Sequence, residues 1–239
     1  MAYEELIREF DLILWTAANF LTLFNSIFTL RLVRNERLDK SQRHANLTWG
    51  LYFLFMLFGN ILNIVWRLYL VETAGMDIAK LVEKISLIMI SVGWLVIIGY
   101  FDRKMLILKK PYFFYIMCIS TLLTIIVGFH QGTILEIIYF ITTSIGFSVF
   151  PILFLMISRR SEGILKKNAR RIFIAAVLFG VGLLVQTQNV EPFLPQIIAL
   201  FESTLHLPYL IVSPIMIIIS MITFWLGIWN LYLYNIEIE

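Results

Sequence analysis

The chain has 239 residues, of which 60% are hydrophobic and 15% charged, with a formal net charge of +3. Soluble domains carry roughly 45–50% apolar and about 25% charged residues, and a domain of this size would have to build its own surface from the excess. A water-soluble globular domain is therefore excluded, and lipid is the expected solvent.

In chain order, residues 1–11 hold four acids and one arginine. That is the wrong polarity for the basic start of a cleaved secretory signal, so the first apolar stretch is expected to be a retained helix. A helix needs about 20 mainly apolar residues to cross the hydrocarbon layer. Spans are expected at residues 10–32, 47–71, 81–101, 112–129, 134–157, 171–190 and 209–234. The fourth is short and follows Pro111. The purely apolar part of the sixth, 172–185, has only 14 residues and crosses only if Gln186 to Val190 belong to it. The reading is an all-α, polytopic membrane protein: one seven-helix bundle over residues 1–239. Pro151 and Pro214 are expected to kink or loosen the fifth and seventh helices. Ala176 and Gly180 predict a close-packing small-residue face on the sixth. Between helices six and seven, residues 195–205 read as a short amphipathic helix with proline at its start.

Lysine and arginine accumulate in cytoplasmic loops. Fifteen basic residues fall after helices one, three and five, and four fall on the other side. Acids run the opposite way, six against ten, so the two faces carry +9 and −6. The N-terminus is therefore placed outside and the C-terminus in the cytoplasm, in the cell membrane. The chain ends five residues after the seventh span, so any output is expected to pass through another protein.

Ionisable and amide side chains inside spans are costly and mark candidate sites. Asn60, Asn63 and Arg67 recur at i, i+3 and i+7 and share one helical face. Lys84 and Glu136 begin the third and fifth helices, and Gln186 and Gln188 end the sixth. Together they predict a ligand-binding cup open to the outside. The plainer reading has Arg67, Lys84 and Glu136 reaching back to headgroups, with Asn60 and Asn63 gluing helices at about 0.6–2 kcal/mol each.

No catalytic residue, metal or cofactor is expected. His44, His130 and His206 lie on different sides, which excludes a three-histidine metal site. Cys118 is alone, so no intrachain disulfide or thiolate set forms. No GxSxG occurs, and helix seven has no lysine for a retinal Schiff base. The chain is not read as an enzyme. Asp102-Arg103 partly matches the Asp-Arg-Tyr of G-protein-coupled receptors, but Lys104 follows and helix seven lacks Asn-Pro-x-x-Tyr; the pair is read as a charged helix end.

The inner face presents Arg103, Lys104, Lys109, Lys110, Arg159, Arg160, Lys166, Lys167, Arg170 and Arg171. Anionic lipid headgroups would attract each by about 1 kcal/mol; an acidic cytoplasmic protein partner is the alternative. Nucleic acid is not expected, because the charge is spread over short segments at the bilayer surface.

The helix count, the outward N-terminus, the short connection from His130 to Thr133 and the segment Phe-Asp-Arg-Lys-Met-Leu-Ile-Leu-Lys-Lys-Pro at 101–111 carry one resemblance. The plan resembles the seven-transmembrane sensor region of microbial histidine kinases and stand-alone archaeal seven-helix membrane proteins. That resemblance implies a receptor or sensor for a small molecule or lipid, signalling through a cytoplasmic partner, and transfers no site residues. Two alternatives stay open. One is a small-solute transporter, since the three-plus-one-plus-three sugar transporters share this length and orientation; the other is a structural or assembly subunit of a membrane complex.

Overall fold

A computed structural model describes residues 2–66, 76–105, 110–126, 134–186 and 209–236. Among the described residues there are seven helices and no strand. They are α1 (Ala2–Val33), α2 (Lys40–Val65), α3 (Met76–Met105), α4 (Tyr112–Ile126), α5 (Ile134–Arg160), α6 (Gly163–Gln186) and α7 (Tyr209–Ile236). Four contain stretches long and apolar enough to cross a membrane: Leu6–Val33, Lys40–Val65, Leu81–Lys104 and Ile211–Trp229. The chain is a helical membrane protein. The expected helix at 195–205 lies outside the described residues.

Most helices outrun the apolar windows that predict them. Lysine and arginine are good helix formers, so a helix continues past its apolar part into charged sequence. This corrects the picture of three basic loops. Arg31 ends α1, Lys40 and Arg43 begin α2, and Arg103 and Lys104 end α3. Arg159 and Arg160 end α5, while Lys166, Lys167, Arg170 and Arg171 ride on α6. Only residues 161 and 162 separate those last two helices. The turn is possible because Gly163 adopts φ +58°, a left-handed conformation that costs glycine little.

α1 has an inside-out pattern. Asp11, Thr22, Asn25, Ser26 and Thr29 are buried, while Leu6, Ile13, Phe20 and Ile27 are more than half exposed. In water that arrangement would be costly on both faces. In lipid it is favourable, because the apolar side meets hydrocarbon and the polar side meets neighbouring helices.

The chain divides into two compact units, residues 22–156 and residues 1–21 with 157–239. In the first, α1 and α2 are antiparallel: Ser26 Oγ donates to the Gly50 carbonyl at 3.0 Å. α2 and α3 are antiparallel too. Ser86 Oγ donates to the Gly59 carbonyl at 2.8 Å, and Tyr100 OH to the Ser41 carbonyl at 3.0 Å. An aromatic cluster fills the middle. Trp94 and Phe150 meet edge to face with centroids 4.6 Å apart, Tyr52 and Trp94 at 5.4 Å, and Phe150 and Phe154 at 4.8 Å. Trp49 joins them through Tyr52 and Phe101. Trp94 opposes Phe150 as Phe101 opposes Phe154, so α5 runs parallel to α3.

In the second unit α6 and α7 form an antiparallel zipper. Ser213 Oγ donates to the Gly182 carbonyl at 2.7 Å and Ser220 Oγ to the Ala175 carbonyl at 2.8 Å. A Cβ on Gly182 would lie 3.0 Å from Ile217 Cγ1 and 3.3 Å from the Ser213 carbonyl oxygen. The close-packing face of α6 is therefore Ala175, Ala176 and Gly182, all buried. Gly180, expected there, has nothing within 4 Å of where its Cβ would be. It points about 160° away from Gly182 around the helix at 100° per residue. Both α5 and α7 continue through their prolines, Pro151 and Pro214.

Candidate functional site

The helix registers sort the expected residues into two ends of the 22–156 unit. Pairing Gly59 with Ser86 sets Asn63 level with Glu83 and Lys84, one turn beyond Asn60. The parallel course of α5 brings its beginning, with Glu136, to that same end. Asn60 is fully buried, and both atoms of its carboxamide lack a hydrogen-bond partner. Asn63 and Lys84 are half-buried. At the last turn of α2, Trp66 is buried, its backbone N–H shared between the Leu62 and Asn63 carbonyls. The Trp66 indole Nε1 also lacks a partner. Two unpaired buried polar groups thus sit within two turns of one helix.

The cost of that arrangement is large for so small a region. A buried donor or acceptor without a partner costs about 1–3 kcal/mol. The interhelical-glue reading of Asn60 fails on geometry, because glue requires a hydrogen bond and Asn60 makes none. Its amide has two N–H donors and a carbonyl acceptor, and neither amide atom has a partner.

Gln186 ends α6 in the other unit. The side chains of Glu136 and Gln186, and all of Arg67 and Gln188, lie outside the described residues, as do His130 and His206. Among the described residues no three His, Cys, Asp or Glu side chains gather where a metal ion could be held.

The opposite end of the 22–156 unit is basic. The Tyr100–Ser41 hydrogen bond ties the end of α3 to the start of α2. Arg31, Arg34, Arg37, Lys40, Arg43, Arg103, Lys104 and Lys110 therefore gather at one end, all exposed. In the other unit Arg159, Arg160, Lys166, Lys167 and Arg170 are exposed and Arg171 is half-buried. Arg171 donates at 3.4 Å both to Asn168 Oδ1 and to the Leu226 carbonyl, so it is partly engaged in holding α6 to α7. Lys109 lies outside the described residues.

Asp102 is more than a charged helix end. It is fully buried, and its Oδ2 accepts from the backbone N–H of Phe114 at 2.9 Å. α4 begins after Lys110-Pro111, neither of which can cap it, so its orphan N–H groups borrow a carboxylate from α3. A negative charge there also suits the positive end of the helix. The next residue, Arg103, lays its guanidinium 4.3 Å from the Phe114 ring centroid. The legible clue was the absence of Ser, Thr, Asp or Asn before Tyr112, with an aspartate ten residues upstream.

Sequence reasoning also passed over Asn46, in the second turn of α2, fully buried with both amide atoms unpaired. Asn46, Phe53 and Asn60 are seven residues apart and share the buried stripe of α2. That spacing was readable. Compared with known family models, curated proteins and solved structures, the chain matches none.

Proposed function

We propose that this chain is a seven-span sensor of the cell membrane, with its N-terminus outside and its C-terminus in the cytoplasm. It binds a small polar molecule or lipid from the outer side, at the end of the bundle that holds Asn60, Asn63 and Lys84. A helix rearrangement then passes to a cytoplasmic protein partner at the basic end. The observation that carries the reading is Asn60: a carboxamide removed from water and left unpaired, where an arriving ligand supplies the missing hydrogen bonds.

Sensing is favoured over transport by the aromatic cluster. A solute path needs polar groups through the middle of the bundle, whereas Trp49, Tyr52, Phe53, Trp94 and Phe150 fill the middle of the 22–156 unit with fully or almost fully buried rings. The sidedness is supported by Arg31, Arg34, Arg37, Lys40, Arg43, Arg103, Lys104 and Lys110 gathering at the end opposite Asn60 while Lys84 stands beside it, in keeping with the bias of cytoplasmic segments.

Two experiments test the proposal. In a Cys118→Ser background, a membrane-impermeant thiol reagent added outside intact cells should label Glu9→Cys, and Lys166→Cys only after permeabilisation; the reverse overturns the orientation. A panel of polar metabolites and lipids, read by thermal shift on wild type and Asn60→Leu in parallel, should include a class that raises Tm only in wild type. Equal shifts in both proteins would remove Asn60 from the site. Uptake of the stabilising solute by proteoliposomes would replace sensing with transport, and co-purification with a fixed set of membrane proteins would favour a structural subunit.

A further inference from the structure

The basic end of the 22–156 unit carries a groove of about 490 Å³ between α3 and α4. Its floor is Leu95, Val96, Gly99 and Phe114, and Tyr100, Arg103 and Lys104 stand at one end. We propose that this groove seats one anionic phospholipid, with an acyl chain along the Leu95–Gly99 floor and the headgroup phosphate on Arg103 and Lys104. The proposal rests on the membrane reading of the chain, but not on its sensing role or its orientation.

The groove is built by sequence. Gly99 lets the Phe114 ring approach α3 so closely that a Cβ there would lie 2.9 Å from Phe114 Cδ2. Asp102 pins the first turn of α4 by its bond to the Phe114 N–H, which fixes that ring and with it the wall. Arg103 is oriented by its stacking on the same ring, yet it is exposed. Its N–H donors meet no protein acceptor among the described residues, so a planar, pre-oriented fork of the kind that suits phosphate is left open beside an apolar channel. Lys104 adds a second, mobile positive charge.

The surroundings select a lipid rather than a soluble phosphate or a protein. The outward face of α4 is apolar: Ile119, Leu122 and Ile126 are more than half exposed, as a face bathed in acyl chains would be. Tyr112 and Tyr115 are half exposed at the basic end, and Tyr100 lines the groove there. Tyrosine concentrates at the level of lipid headgroups. Charge, aromatic belt and apolar channel therefore occur in the order headgroup, interface, chain.

The test uses the full-length protein in nanodiscs of phosphatidylcholine containing a few per cent of phosphatidylglycerol bearing a photoactivatable acyl chain. Adducts are mapped by peptide mass spectrometry. Labelling should concentrate on residues 95–100 and on the first turn of α4, and unlabelled phosphatidylglycerol should displace it while phosphatidylcholine does not. Lys104→Gln, whose side chain is exposed, should weaken labelling about fivefold, and R103Q/K104Q about twentyfold or more. K166Q/K167Q, which removes as much charge elsewhere, should leave groove labelling unchanged.

Adducts spread evenly over the lipid-facing helices, or equal losses in the two double variants, would overturn the proposal while leaving the membrane reading intact. Competition by soluble glycerol phosphate as effective as that by phosphatidylglycerol would make this a phosphate site and overturn the lipid assignment. A protein that labels nowhere and does not enter nanodiscs would overturn both.

Discussion

The α6–α7 pair and the aromatic core of the 22–156 unit hold helices together in different ways. α6 and α7 approach closely on Gly182, Ala175 and Ala176, and serines seven residues apart on α7 donate to carbonyls of α6. Little volume is left to fill, and the serines of the seam are hydrogen-bonded, while the buried Asn168 keeps its Nδ2 without a partner. In the 22–156 unit serines likewise donate to glycine carbonyls where α2 meets α1 and α3, but the core is filled by rings whose centroids lie 4.6–6.2 Å apart. Its buried amides on α2, Asn46 and Asn60, are left unpaired. Lipid offers no hydrophobic drive for helices to associate, so packing and hydrogen bonds must hold them. The serines of the zipper serve cohesion. α2 retains polar groups that contribute nothing to cohesion, and that is where function is to be sought.

The largest effect should come from the ring cluster. Trp94→Ala removes a side chain with 1% exposure that touches both Tyr52 and Phe150, and should cost about 3–5 kcal/mol in reversible unfolding from bicelles. A loss below about 1 kcal/mol would mean that the rings merely occupy space. Gly182→Leu should cost about 1–3 kcal/mol by forcing α6 from α7. The same change at Gly180, where the space is open, should be close to neutral, and equal costs at the two glycines would break the zipper account.

Asp102→Ala should cost about 1–2 kcal/mol by uncapping α4, with hydrogen exchange of the Phe114 amide accelerated, whereas Asp102→Asn should retain much of the cap. Ser220→Ala should be the smallest, about 0.6 kcal/mol, because the neighbouring Ser213 bond keeps the register.

The apolar windows at 112–129, 134–157 and 209–234 begin on the same residues as α4, α5 and α7, because those helices start where charge or turn residues stop. α6 begins eight residues before the apolar span expected at 171–190, since hydropathy ignores a basic segment that is nonetheless helical. The buried faces were less legible. Serine donors such as Ser86 and Ser213 are invisible to hydropathy, and their role depends on which neighbouring carbonyl is exposed by a glycine. Asn60 was singled out by the cost of an amide in a span; that its carboxamide would be unpaired depends on tertiary register, which no local pattern encodes.

The most direct measurement is the unfolding free energy of Asn60→Leu against wild type in the absence of ligand. Leucine keeps the branched shape and removes two unpaired polar atoms but is larger, so Asn60→Val is measured beside it against overpacking. The better tolerated of the two should be as stable as wild type or more stable by about 1–3 kcal/mol. It should also lose the ligand-induced rise in Tm. Loss of about 1 kcal/mol or more in both variants would contradict the account, making Asn60 a structural hydrogen-bonding residue and leaving the Asn60 end of α2 without a site.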